Sequence, residues 1–178
     1  MSSDDEGALG RWVLLAYRMP RDPSRPRIAV WRKLERLGVA RLGDGLVALP
    51  RDARTQEQLE WVAEEVTDNR GTAQLWFAAP GSAAQERDVA RAMRSARASE
   101  YAAVTAEAAA VTGAGEVERA RVVRRLRAEL HRIGRRDFFP PPERDAARAA
   151  VESLAGSVNE PDEPAEPELG TDEAEERA

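Results

Sequence analysis

The sequence predicts an α+β protein, and three observations carry that expectation. A continuous apolar run, RWVLLAYRM (Arg11–Met19), reads as a strand. Two segments with apolar residues at helical spacing flank an alternating stretch around Gly43-Asp44-Gly45. Beyond Pro80 the apolar residues recur only at helical spacing.

In chain order, the first run is apolar on successive residues, as in a strand covered on both faces. The turn PRDPSRPR follows, and Asp22 or Ser24 could cap the next helix with Pro23 or Pro26 in its first turn. That helix extends to about Leu37 and stops at Gly38, with Val30, Trp31, Leu34 and Leu37 on its apolar stripe. VARLGDGLVALP then alternates as a hairpin. Taken alone, the helix and hairpin (Trp31–Pro50) fit a winged helix equally well. The strand before them and the helix and strand after them place the hairpin in a sheet instead. The second helix lies in RTQEQLEWVAEEVTDNRG, where Thr55 and Gln58 fit a capping box and Gly71 a C-terminal stop. Its stripe is Leu59, Val62, Ala63 and Val66. TAQLWFAA is a fourth strand. The order β-α-β-β-α-β defines the ferredoxin-like fold, an antiparallel sheet with both helices on one face.

Three helices follow. Ser82 caps an alanine-rich helix ending near Gly113. EVERARVVRRLRAELHRIG places Val122, Val123, Leu126, Leu130 and Ile133 on one side. RDFFPPPERDAARAAVESLAG gives a Phe138-Phe139 anchor, a proline break and a last short helix. The expected organisation is an N-terminus without order over 1–10, a βαββαβ domain over 11–80, a three-helix region over 81–155 and a disordered acidic tail over 156–178. The tail contains nine acids against Arg177 alone, a net −8, and almost no large apolar residue. It cannot bury enough surface to offset the entropy of ordering. The remainder carries 26 basic and 23 acidic residues, a net +3.

Composition excludes several chemistries. There is no cysteine, hence no disulfide, thiolate nucleophile or cysteine-ligated metal. His131 is the only histidine and sits on a polar flank, so a multi-histidine metal site is ruled out and a catalytic triad is not expected. No glycine-rich phosphate loop or carboxylate cluster stands in the body. The polar N-terminus MSSDDEGALG is unlike a signal peptide, and no apolar run could span a bilayer. The expectation is a cytoplasmic protein that is not an enzyme, with no cofactor, no metal and no membrane partner.

Arginine carries the remaining signal. From Arg11 to Arg41, nine bases face Asp22 and Glu35. At ~100° per residue, Arg25, Arg32 and Arg36 gather opposite the apolar stripe of the first helix. From Arg119 to Arg136, eight arginines face Glu129 alone. Arg121, Arg125 and Arg132 align there, with Arg124 beside them. Such faces suit a phosphate backbone, because each neutralised phosphate releases condensed counterions. Arg25, Arg32, Arg36, Arg121, Arg124, Arg125 and Arg132 are therefore the nucleic-acid candidates. Arg18, Arg21 and Arg25, near the start of the first helix, are candidates for holding a small anion. Trp12, Trp31, Trp61 and Trp76 are assigned to core packing.

WVLLAYRMPRDPSRPRIAVWRKLERLGVARLGDGLVALP, RTQEQLEWVAEEV, ASEYAAV and RRDFFPPPERDAARAAVESL, in that order, resemble the N-terminal domain of the ChrB chromate-resistance family. The resemblance covers roughly Arg11 to Ala155 and lies in the succession of segments. It implies a regulator accompanying a chromate efflux transporter, with double-stranded DNA as target and chromate or a related oxyanion as signal. Longer members have a C-terminal domain where this sequence has the acidic tail. Glu100 and Tyr101 fall within the resemblance but receive no chemistry from it. The first ~80 residues are also similar to the ferredoxin-like domain of PaaX-type repressors and small CRISPR-associated ribonucleases, which implies a homodimer. In those nucleases the first strand ends in a catalytic aspartate. Here Ala16-Tyr17-Arg18-Met19 stands at that place and the nearest acid is Asp22. The rival expectation is a non-enzymatic adaptor whose ferredoxin-like half dimerises and whose basic helices bind a protein.

Overall fold

The computed structural model of the chain describes residues 11–159. The N-terminal ten residues and the acidic tail from residue 160 lie outside the described residues. The element order is β1 (Trp12–Arg18), α1 (Ser24–Leu37), β2 (Ala40–Gly43), β3 (Leu46–Pro50), α2 (Ala53–Asp68), β4 (Thr72–Ala78), α3 (Ala83–Ala110), α4 (Glu116–Gly134) and α5 (Glu143–Asn159). The protein is α+β, with one four-stranded antiparallel sheet in the order β2-β3-β1-β4.

Period-two alternation sends Val13 and Leu15 of β1 to one face, with their register partners Leu49 and Val47 of β3. All four are buried, together with Val30 and Leu34 of α1 and Leu59, Val62 and Val66 of α2. The opposite face is covered in part by α3, whose Glu86 accepts from Trp12 Nε1 at 3.3 Å and whose Met93 is buried in the same core. Leu14 and Ala16 are consequently half-buried, short of the two-sided cover expected of β1. A second core joins Tyr101, Val104 and Ala108 of α3 to Val122, Val123, Leu126 and Ile133 of α4 and to Ala147, Val151 and Leu154 of α5. Helix α3, with 28 residues, serves both cores. Among the described residues no helix is long and apolar enough to cross a membrane.

Several local expectations are corrected. Three tryptophans are not core residues: Trp31, Trp61 and Trp76 are 44%, 53% and 57% exposed, and only Trp12 is buried. On α1, Trp31 lies roughly 100° from Val30, at the rim of the stripe. Trp61 points well away from the Leu59/Val66 stripe. Trp76 lies on edge strand β4, while α3 crosses the sheet on its β2 side. Asp52, not Thr55, caps α2: its carboxylate accepts from Thr55 N at 2.7 Å while Thr55 Oγ1 accepts from Asp52 N at 2.9 Å. Thr55 is thus the third helical residue of the box rather than its cap. That helix ends at Asp68, and Arg70 takes the left-handed conformation (φ 62°) that glycine was expected to supply. Gly71 serves close approach instead, since a Cβ there would meet Arg18 O at 2.6 Å. Helix α1 has no side-chain cap, and its N-cap position is Pro23. Phe139 stacks on Trp12 with centroids 6.1 Å apart, and Phe138 lies under Arg54 at 5.7 Å. The phenylalanine pair therefore ties the α4–α5 connection to β1 and to α2. Helix α5 continues through Asn159, so residues 156–159 are helical where a disordered tail was expected.

Candidate nucleic-acid interface

Three helix ends meet where the sheet half joins the helical half. The last turn of α1 brings Arg36, the first turn of α2 brings Arg54, and the end of α4 brings Arg132, Arg135 and Arg136. They line an open cleft of about 390 Å³ together with Leu37, Gln58 and Glu129. Five arginines against one carboxylate make it strongly positive, and low-dielectric walls focus such a field.

Some of this charge is already committed. Arg54 donates to the carbonyl of Arg135 at 2.8 Å, covering an orphan carbonyl just past α4. Arg132 pairs with Glu129 one turn back. Arg136 donates to Glu100 Oε2 at 2.9 Å. Arg36 and Arg135 are exposed and have no ion-pair partner among the described residues. They are the two guanidiniums free to meet an incoming anion.

The cleft rests on a buried polar support. Glu100 of α3 also accepts from Arg97 at 2.9 Å, so one carboxylate holds two guanidiniums. Arg97 is only 9% exposed, and its Nη1 approaches Gly38 at the end of α1. A Cβ at Gly38 would meet Arg97 Nη1 at 2.7 Å and Arg136 Cβ at 2.9 Å, and its φ of 72° adds a second reason for glycine. One residue on, Tyr101 donates its hydroxyl to Asp137 Oδ2 at 3.0 Å. Burial pushes the Tyr101 hydroxyl up to about 12, and the bond to Asp137 adds to the rise. Glu100 and Tyr101 thus fix where Arg136 and the chain after it leave α4.

The sequence candidates divide accordingly. Arg36 and Arg132, from different arginine-rich segments, are brought to the same cleft. Arg25 and Arg32 extend the exposed face of α1. Arg121 is exposed on α4, while Arg125 is engaged by Glu107 of α3. Arg124 lines a separate depression near the start of α4, beside Arg127. Of the trio Arg18, Arg21 and Arg25, Arg18 lines a different cleft, of about 630 Å³, where Arg27 joins it. His131 is exposed. Arg54, Arg97 and Arg136 are not among the candidates that the sequence offers. The i, i+3 spacing of Arg97 and Glu100 was the available signal, but helical pairs at that spacing are common on solvated faces.

The family model described as Protein ChrB, N-terminal, matches residues 27–164. The chain belongs to the ChrB N-terminal family. Protein ChrB of Cupriavidus metallidurans is 27% identical over 133 residues, which are 72% of this chain and 40% of that protein. The chain thus spans about two fifths of the length of this ChrB relative. No solved structure matches. The ChrB N-terminal match takes in α1 from Arg27 onward and all of α2 and α4, and so all three helix ends that form the arginine cleft.

Proposed function

We propose that this ChrB-family chain is a chromate-resistance regulator that binds double-stranded DNA through the cleft between α1, α2 and α4. The observation that carries this reading is the convergence of Arg36, Arg54, Arg132, Arg135 and Arg136, from three helix ends, on one open surface. Arg36 and Arg135 meet phosphate directly, and Arg25 and Arg32 continue the contact along α1. The contacts are electrostatic, so affinity falls steeply with salt. Chromate or a related oxyanion acts at the same junction. A dianion between Arg36 and Arg135 removes charge from the DNA surface and pulls the two halves of the molecule together there. The βαββαβ order and the strand order β2-β3-β1-β4 support a ferredoxin-like assignment for the first half. Edge strand β4, with Trp76 and Phe77 exposed, supports a homodimer formed through that edge.

The test is duplex-DNA binding by the full chain across a salt series. Strong salt dependence is expected, with Arg36→Ala/Arg135→Ala lowering affinity at every duplex sequence and flattening the salt slope by roughly two units. Chromate is expected to weaken binding where an equal concentration of chloride does not. Salt-insensitive binding, or none at low ionic strength, overturns the reading. DNA-free association of the basic helices with a protein partner would favour an adaptor instead.

A further inference from the structure

A second cleft opens between the end of β1, the first turns of α1 and the β2–β3 turn. Its volume is about 630 Å³, within the range of small-molecule sites. Tyr17, Ile28 and Trp31 give it an apolar wall, and Arg18, Arg27 and Asp44 stand around it. The hairpin tip is fixed against the strand: Tyr17 N donates to Gly45 O at 2.7 Å. A Cβ at Gly45 would collide with Tyr17 O. Asp44 is therefore held in place relative to the aromatic wall rather than swinging on a loose loop.

Two features at this cleft lack a structural use. Ile28 and Trp31 are large apolar side chains left substantially in water, side by side on one flank of α1. Arg18, Arg27 and Asp44 form no side-chain hydrogen bond or ion pair among the described residues. A tetrahedral oxyanion would use the arginines and leave the apolar wall wet. A ligand that uses every group has a flat ring for Trp31, a phosphate for Arg18 and Arg27, and a ring N–H for the Asp44 carboxylate. Guanine presents two adjacent N–H donors on one edge, which matches a carboxylate. Adenine presents one donor beside an acceptor that would face the carboxylate unfavourably.

We propose that this cleft binds a guanine mononucleotide, with the base against Trp31, its N–H edge on Asp44 and the phosphate between Arg18 and Arg27. The site is separate from the arginine cleft and does not depend on DNA binding there. Equilibrium dialysis of the full chain against labelled GMP tests it. Parallel arms use AMP, guanosine, inorganic phosphate and a short single strand containing dG. GMP is expected to bind, with AMP and phosphate at least about ten-fold weaker. Trp31→Ala is expected to weaken GMP about ten-fold, the scale of one lost base–aromatic stack. Arg18→Ala/Arg27→Ala is expected to weaken it comparably and to make GMP no better than guanosine. Asp44→Asn is expected to erase the preference for GMP over AMP. Arg36→Ala is expected to leave GMP affinity unchanged, which separates this site from the DNA surface. The altered residues are all exposed, and circular dichroism is the check that each variant is folded. Phosphate binding as tightly as GMP, no GMP binding, or an unchanged GMP affinity in Trp31→Ala overturns the proposal. Binding confined to the oligonucleotide overturns it too, because the cleft would then read a strand and not a free nucleotide.

Discussion

Arg97 is a guanidinium taken almost out of water, and the polar groups around it set the accuracy of the junction. Removing one partner of a buried polar pair costs more than the pair itself contributes, because the other group stays buried and unsatisfied. Tyr101→Phe leaves Asp137 Oδ2 without its donor, and Asp137 Oδ1 already has none. We expect a loss of about 1–3 kcal/mol in chemical denaturation. The same variant has a signature in pH. The folded state holds the Tyr101 proton more tightly than the unfolded chain, with the folded pKa near 12 against an ordinary 10. That contribution is intact below about pH 10 and is lost as pH rises toward 12. Tyr101→Phe should therefore be less stable at neutral pH yet lose less stability across that alkaline window. Gly38→Ala meets both a left-handed φ and a Cβ contact under 3 Å with Arg97 and Arg136. It should cost about 1–3 kcal/mol and reduce DNA affinity as Arg136 is displaced.

Among the elements, α4 shows how one helix supplies both packing and charge. Val122, Val123, Leu126 and Ile133 are buried against α3 and α5, while Arg121, Arg124 and Arg132 face outward. Leu126→Ala should cost about 2–5 kcal/mol in denaturant without altering the salt slope of DNA binding. Arg132→Ala should do the reverse, leaving stability nearly unchanged, since exposed i, i+3 pairs are weak. Periodicity made elements of this kind legible in the sequence. The stripes of α2 and α4 and the glycine hairpin are local patterns, and the element order follows from them. The exposure of Trp31, Trp61 and Trp76 is not legible in the sequence. It depends on how wide a face each neighbour covers, and the spacing of apolar residues does not record that width. The arginine cleft was legible only as two separate clusters. Arg36 and Arg132 meet because α3 carries the chain across the sheet and α4 returns, a tertiary event with no local signature.

For the whole molecule, charge is divided between the described body and the segment from residue 160 onward. That segment contributes a net −8. A chain ending at Asn159 should bind duplex DNA more tightly than the full chain at low salt, with the difference shrinking as salt screens it. Equal affinities for the two would show that the acidic segment does not compete for the arginines. The long helix α3 has a different consequence. Its first half is buried with the sheet and its second half with α4 and α5, so neither core can open without freeing part of it. All four tryptophans lie before residue 80, whereas most of the helical content lies after it. Tryptophan fluorescence thus watches one half of the protein and far-ultraviolet dichroism chiefly the other. If α3 joins them into one cooperative unit, the two optical signals should trace the same melting curve.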